Sequence, residues 1–381
     1  GIATAARTLA PDAMRAVLAP VARFLAGCGA PVLHYKCCST FDSAPEVGSI
    51  GVAVRVLQAA LRNPLVPIVG GQPSLGRYCV FGQLFASAGA EAVYRIDRHP
   101  TMSRHPVTPM HEADLARHLA LQGLQPVAAV DAQAHEGDAP RWAVAADASA
   151  PAPQAVLFDV ARDAHLKAIG EWLWAQAQAA PLLAVGASSV AQALIDAWGL
   201  SRQAKPSAVA PARGPVLALA GSLSPLSARQ VAAASSYRRV PLDAARLSAG
   251  DVRYQEETVA LMAQALAQGQ HVLAHTAPLP GTGAAAPSAS PALAAACGQL
   301  LKRVLGQVPV TRVGVAGGDT SSFAVQALQP WALGWLGSLS PGVALCRAHA
   351  DDPRTDGLEL MLKGGQMGPE DLFERLIAGT G

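Results

Sequence analysis

Residues 155–198 hold one unit twice in succession. Ala155-Val156-Leu157-Phe158-Asp159-Val160 is a short apolar run, followed by a helix-like pattern from about Ala164 to Gln178. Pro181 to Val185 is the next run, Gly186-Ala187-Ser188-Ser189 the turn after it, and Val190 to Trp198 the next helical pattern. Short apolar runs without a polar face read as strands buried on both sides. Alternation with helical segments implies crossover connections and parallel pairing. The unit recurs on either side of this stretch. Pro31-Val32-Leu33-His34-Tyr35-Lys36 precedes a polar loop and a helix from about Ile50 to Leu61. Val216–Ala220 leads into Gly221-Ser222, and Val310–Ala316 leads into Gly317-Gly318. The fold class is therefore α/β. In such sheets, ligands bind in the loops at the carboxyl ends of the strands.

A chain of 381 residues fits two domains at roughly 100–200 residues each. The stretch from Ser201-Arg202-Gln203-Ala204-Lys205-Pro206 to Arg213-Gly214-Pro215 lacks apolar periodicity and is rich in Pro, Ala and basic residues. It reads as the linker between domains at 1–205 and 214–381, each a mostly parallel sheet flanked by helices. Asp131 to Pro153 and Ala277 to Pro291 read as surface loops.

Composition removes several function classes. The net charge is +2, there is no long basic run, and only 5% of residues are aromatic, which argues against a nucleic-acid surface. No apolar run reaches the roughly 18 residues of a membrane span, and Gly1-Ile2-Ala3-Thr4 lacks the features of a signal peptide. Six cysteines at 28, 37, 38, 79, 297 and 346 form no C-x-x-C pair and read as buried, reduced thiols of a cytoplasmic protein. Among His99, His105, His111 and His118 no H-x-x-x-H pair sits on a clear helix with a carboxylate partner, so no metal site is expected. The oligomeric state stays open, a homodimer included, because no exposed apolar stripe is legible.

Two constellations carry chemistry. After the first strand, Lys36-Cys37-Cys38-Ser39-Thr40-Phe41-Asp42-Ser43 gathers a cation, three hydroxyls and a carboxylate, and Gly48, Ser49 and Gly51 stand where a helix begins. A cation and a helix N-terminus suit an anion, and hydroxyls and a carboxylate suit a polyol, although a capped turn would use the same residues. Gly70 to Arg77 is a second polar loop, in which Arg77 can grip a carboxylate. Ser103 to Met110 is a third, with His105 held extended before Pro106 and Thr108 beside it. The later half holds Gly221-Ser222-Leu223-Ser224, Gly317-Gly318-Asp319-Thr320-Ser321-Ser322 and Lys363-Gly364-Gly365-Gln366-Met367-Gly368. Glycines let backbone N–H groups approach phosphate oxygens, Ser and Thr add donors, Asp319 suits a water-bound Mg²⁺ or a ribose hydroxyl, and Lys363 suits phosphate charge. No Walker A sequence occurs.

Together these segments resemble the four-carbon acid sugar kinase family, in the family's order and from the first residues to Phe373. His105-Pro106-Val107-Thr108-Pro109-Met110 and Pro341-Gly342 belong to the resemblance. It implies that ATP, with Mg²⁺, lies across Ser222, Gly317, Gly318, Asp319, Thr320, Ser321 and Gly365. It also implies a small sugar acid facing Lys36, Ser39, Asp42 and His105 in a cleft between the domains, while Arg77 is a candidate acid-binding residue from its loop alone. Members of the family open with an Asp-Asp-x-Thr-Gly loop that supplies a carboxylate, and this chain has no such motif. The resemblance therefore implies a first segment missing from the sequence, with Asp42 as the best visible substitute for the general base. The readings kept alongside are a non-catalytic sugar-acid sensor and a kinase for a branched acid such as 3-oxo-isoapionate.

Overall fold

The structure is a computed structural model describing residues 1–61, 63–88, 92–105, 107–135, 152–200, 208–276 and 290–380. It divides into two compact units, Gly1–Ala204 and Lys205–Gly381. Much of the linker and of the two long surface loops expected from composition lies outside the described residues.

The first unit runs α1 (Pro11–Ala26), β1 (Val32–Lys36), α2 (Ile50–Leu61), β2 (Val66–Gly70), β3 (Arg77–Val80), β4 (Gln83–Ala88) and β5 (Ala92–Arg95). It continues through α3 (Leu115–Leu121), β6 (Val127–Val130), β7 (Ala155–Asp159), α4 (Ala164–Ala179), β8 (Leu182–Gly186) and α5 (Ser189–Ala197). Five strands pair in parallel in the order β1-β8-β2-β7-β6. Every residue of β2, β7 and β8 is buried, as their unalternating apolar runs require. Neighbouring residues point to opposite layers. Ile68 and Leu157 join Ile50 and Leu57 of α2, whereas Val69 and Phe158 join Leu166 and Leu173 of α4.

A second, antiparallel sheet, β3-β4-β5, is packed on this unit. The segment Gly70–Arg77, read from the sequence as one loop, is a correction: Gly70 ends β2 and Arg77 opens β3. The strands are short and apolar on both faces, so alternation does not reveal them. Cys79, Leu84 and Ala86 are buried inward. The β3–β4 turn is made by Phe81 and Gly82, both at positive φ (49° and 73°), the geometry a two-residue hairpin needs.

The second unit runs β9 (Val216–Ala220), α6 (Pro225–Ala233), β10 (Tyr237–Pro241), α7 (Ala244–Ser248), α8 (Val252–Ala267), β11 (His271–His275), α9 (Pro291–Gln307), β12 (Arg312–Ala316) and α10 (Gly318–Leu328). Then come β13 (Ala332–Ser340), β14 (Val343–His349), β15 (Glu359–Lys363) and α11 (Leu372–Ala378). One seven-stranded sheet has the order β10-β11-β9-β12-β15-β14-β13, parallel through β15 and antiparallel beyond it. Pro341 and Gly342 (φ 75°) form the β13–β14 turn. Arg312 is an unexpected buried cation within β12. Its guanidinium meets Glu359 Oε2 at 2.6 Å and the carbonyls of Leu376 and Ala210 at 3.0 Å each. It thereby ties α11 and the chain entering β9 to the sheet.

Candidate functional site

In the first unit the polar residues gather at the carboxyl end of β1. The loop after it turns on Phe41, which is fully buried and held at φ 52°, and this delivers Asp42 inward. The Asp42 side chain is wholly enclosed. Thr40 Oγ1 donates to its Oδ1 at 2.5 Å, Thr108 Oγ1 donates to Oδ2 at 3.3 Å, and Arg7 Nη2 lies 2.7 Å from Oδ2. The same Arg7 nitrogen lies 3.2 Å from His105 Nε2. Thr108 presents both its hydroxyl and its backbone N–H to His105 Nδ1, each at 3.1 Å. The Thr108 N–H donates to Nδ1, so that ring nitrogen accepts, and the Thr108 hydroxyl hydrogen goes to Asp42. Arg7, His105, Thr108 and Asp42 thus close a ring of polar contacts.

Gly48 makes this ring attainable. It sits at φ 62°, and a Cβ there would lie 2.3 Å from the Arg7 carbonyl oxygen. Its N–H donates to Leu9 O at 2.9 Å, so the Arg7 segment can lie flat on the loop. Gly51 does the same work against Gln122, whose carbonyl oxygen would be 2.4 Å from its Cβ. The α2 N-terminus, expected to face an anion, is already occupied. Ser49 Oγ accepts from Val52 N at 3.2 Å, and Gln122 Oε1 accepts from Gly51 N and Ser49 Oγ, both at 3.3 Å. His118 is likewise structural, 2.9 Å from Ser43 Oγ and 3.2 Å from the Phe41 carbonyl.

Of the remaining expected acid-binding residues, Lys36 is exposed at the end of β1 and Ser39 is half-buried in the loop. Lys36 has no salt-bridge partner among the described residues. Arg77 Nη1 donates to the Leu75 carbonyl, while its Nε is buried without a hydrogen-bond partner. Burial lowers the Arg77 pKa, and the Cys38 thiol of the β1 loop acts against that shift. An enclosed guanidinium with an unmet donor is suited to an incoming carboxylate.

In the second unit three loops converge at the carboxyl ends of β9, β12 and β15. A Cβ on Gly221 would be 2.2 Å from Thr320 Oγ1, one on Gly317 3.1 Å from Ser222 N, and one on Gly365 2.5 Å from Ser222 Oγ. Ser222, Gly317, Thr320 and Gly365 therefore sit together, with Gly317 at φ 124°. Helix α10 has no side-chain cap, so no side chain takes up its first N–H groups, the arrangement an anion site at a helix start needs. Gly318 and Asp319 open that helix, and Asp319 has no partner among the described residues. Ser321 Oγ is turned to the Val315 carbonyl at 3.3 Å.

Lys363 departs from expectation. It is 3% exposed, and its Nζ donates to Gln230 Oε1 (2.5 Å), Met367 O (3.2 Å) and Ser227 Oγ (3.3 Å). Burial lowers its pKa to about 8. It braces the loop bearing Gly365 from beneath rather than meeting phosphate. Ser224 Oγ and Ser227 Oγ hold the Gly365 carbonyl from the other side, at 2.6 and 3.2 Å.

Sequence reasoning missed Arg7 and Thr276. Arg7 carries no local signal, because its partners lie 35 and 98 residues away and meet it only in the fold. Thr276 follows β11 in the same strand-then-hydroxyl pattern as Ser222. Its N–H donates to Ala220 O at 3.0 Å, and its hydroxyl is buried without a partner. That repeated pattern was the available clue. All six cysteines are free, and Cys28 is exposed rather than buried. No cluster of His, Cys, Asp and Glu suited to a metal exists among the described residues. No helix among them is long and apolar enough to cross a membrane.

The profile of a sugar-binding N-terminal domain matches residues 1–194, and that of a nucleotide-binding C-terminal domain matches residues 217–373. The chain is 38% identical to the 3-oxo-isoapionate kinase of Paraburkholderia graminis, over 98% of this chain and 83% of that one. It is 30% identical to the 3-oxo-tetronate kinase of Methylobacterium radiotolerans, over 99% and 88%. A solved Salmonella typhimurium LT2 protein described as a tRNA synthase superposes with a TM-score of 0.75 at 26% identity, covering 97% of this chain and 86% of its own. A Haemophilus influenzae protein of the DUF1537 family, at 23% identity and a TM-score of 0.65, shares the fold. With a sugar-binding half, a nucleotide-binding half and kinases as relatives along nearly its whole length, the chain belongs to the four-carbon acid sugar kinase family.

Proposed function

We propose that this protein transfers the γ-phosphoryl group of ATP to a hydroxyl of a small 3-oxo sugar acid, with a branched acid such as 3-oxo-isoapionate as the preferred acceptor. The observation that carries the reading is the convergence of Ser222, Gly317, Thr320 and Gly365 around the uncapped start of α10. It supports a phosphate cradle of backbone N–H groups and hydroxyls. The higher identity to the isoapionate kinase than to the tetronate kinase favours the branched acceptor.

Phosphoryl transfer needs chiefly positioning and charge stabilisation. The acceptor oxygen attacks the γ-phosphorus, the bond to the β–γ bridging oxygen breaks, ADP leaves, and the hydroxyl proton is released. We assign the acceptor to the first unit, with Lys36 and Arg77 on its carboxylate and Ser39 and His105 on its hydroxyls. Asp42, with both oxygens engaged, holds Arg7, Thr108 and through them His105. We infer that it acts as a positioning residue, and a direct role in taking the proton is what the pH profile of Asp42→Asn tests. The nucleotide is assigned to the second unit. Mg²⁺ commonly takes one carboxylate plus phosphate oxygens and water; Asp319 fits that donor set, and the ion would stabilise charge on the transferred group.

The test is coupled ADP release with 3-oxo-isoapionate, 3-oxo-tetronate, D-threonate and D-erythronate. The expected result is turnover with highest kcat/KM on the branched acid. Calorimetric binding of an acid with no ADP release would instead support the non-catalytic, sensing reading. Absence of both binding and turnover for all four acids would overturn the proposal.

A further inference from the structure

The free edge of the seven-stranded sheet is β13, a nine-residue strand without a charged residue. Its outer row of backbone N–H and C=O groups has no partner strand among the described residues. Edge strands are ordinarily protected by Lys, Pro or short length, and this one has none of these. Large apolar side chains instead stand in the open along its first half and just before it: Trp331, the residue preceding the strand, is 69% exposed, Trp335 58% and Leu333 37%. Two β-bulges, between Trp335 and Gly337 and between Ser338 and Ser340, leave residues 332–335, with Trp331 leading into them, as the regular part of the edge.

We propose that this edge pairs with the same edge of a second copy of the chain, antiparallel about a two-fold axis through Leu333. The occupant is identified by the symmetry of the segment. Trp331-Ala332-Leu333-Gly334-Trp335 has the same order of sizes in both directions. Antiparallel self-pairing centred on Leu333 sets Trp331 against the second copy's Trp335, Ala332 against its Gly334, and Leu333 against its Leu333. Large residues meet large ones on one face and small ones meet small on the other, as cross-strand packing favours. A buried tryptophan covers roughly 150–250 Å². With about two thirds of that area still exposed here, two per copy supply about a third of the roughly 800 Å² per partner that a stable dimer buries, with Leu333 and the paired backbone adding to it.

The experiment is sedimentation equilibrium on the purified protein and on Leu333→Lys, with disulfide trapping of Leu333→Cys. The chain of 39.0 kDa is expected to sediment at twice that mass. Leu333→Lys, which sets two ammonium groups side by side on the axis, should sediment as a monomer with ADP release retained. Directly opposed residues lie about 4.5–5.5 Å apart at Cβ, close to disulfide distance. Leu333→Cys should therefore cross-link to a dimer under mild oxidation, while Trp335→Cys, whose opposite residue is Trp331, and the unmodified protein should not. A monomeric parent protein would overturn the proposal. So would a dimer that persists in Leu333→Lys, or one in which Leu333→Cys traps no better than Trp335→Cys. Circular dichroism of each variant separates loss of pairing from loss of fold.

Discussion

Placing a methyl group on Gly221 tests the reading of the phosphate cradle. The added Cβ would lie 2.2 Å from Thr320 Oγ1, 2.8 Å from its Cγ2 and 3.0 Å from its Cβ. Rotation of Thr320 cannot relieve all three, since χ1 leaves its own Cβ in place, and the side chain is 5% exposed with little room to turn. The exit of β9 or the first turn of α10 must therefore move. Overpacking of this kind costs about 1–3 kcal/mol. At roughly 3 °C per kcal/mol for a domain of this size, Tm should fall by about 3–9 °C. The displaced turn carries the donors assigned to phosphate, so KM for ATP should rise about tenfold while KM for the acid holds, a loss of ~1.4 kcal/mol. Thr320→Ala removes the atoms at 2.2 and 2.8 Å. The double variant should accordingly recover at least ~1 kcal/mol relative to the sum of the single losses. Thermal unfolding and steady-state kinetics on the four proteins give the answer. Strict additivity, or an unchanged Tm and ATP KM in Gly221→Ala, would refute the close approach of the two loops.

Asp42→Asn keeps the shape but removes the charge facing Arg7. Turnover should drop at least about tenfold with KM for ATP unchanged, and wild-type kcat/KM for the acid would remove Asp42 from the site. If Asp42 took the proton directly, the acid limb of the pH–rate profile would vanish in this variant; a positioning role leaves the limb in place and lowers its height. Gly48→Ala forces a side chain onto φ 62° and against the Arg7 carbonyl. It should cost ~1–3 kcal/mol and weaken acid binding measured by calorimetry, without effect on ATP. Lys363 titrates at about 8 in the folded chain against 10.5 when free, so the unfolded chain binds that proton more tightly. Its destabilising contribution is fully present below pH 8 and is relieved as pH rises toward 10.5, by up to about 3 kcal/mol. Urea midpoints across that window should climb for the parent protein and stay flatter for Lys363→Met. Arg312→Met strands Glu359 and the carbonyls of Leu376 and Ala210, and a fall in stability of ~2–4 kcal/mol is expected in urea unfolding.

The parallel architecture was legible because its signal is local. Unalternating apolar runs at 66–70, 155–159, 182–186 and 216–220 can only be strands covered on both faces, and the helices between them dictate parallel pairing. The Gly and Ser turns after those strands were legible for the same reason, since the carboxyl edge of such a sheet is where a chain leaves it. The antiparallel sheet of β3, β4 and β5 was not. Its strands are apolar on both faces, and only burial of Cys79, Leu84 and Ala86 tells the inner side from the outer.

Chemical roles within those loops belonged to tertiary structure. Lys363 and Asp319 read alike as residues beside glycines. Packing puts the ammonium beneath its loop and leaves the carboxylate at a helix start, because a lysine stem can reach three acceptors under the turn and a first-turn aspartate cannot. Ser49 and Gly51 looked like an open anion site until Gln122, from a distant helix end, filled it. Arg7 entered the site only because Gly48 lets two backbones touch. Residue types and strand ends were set by the sequence, since periodicity is short-range. Which donors are already spent and which are left for a ligand was set by contacts between residues tens of positions apart, which no local pattern encodes.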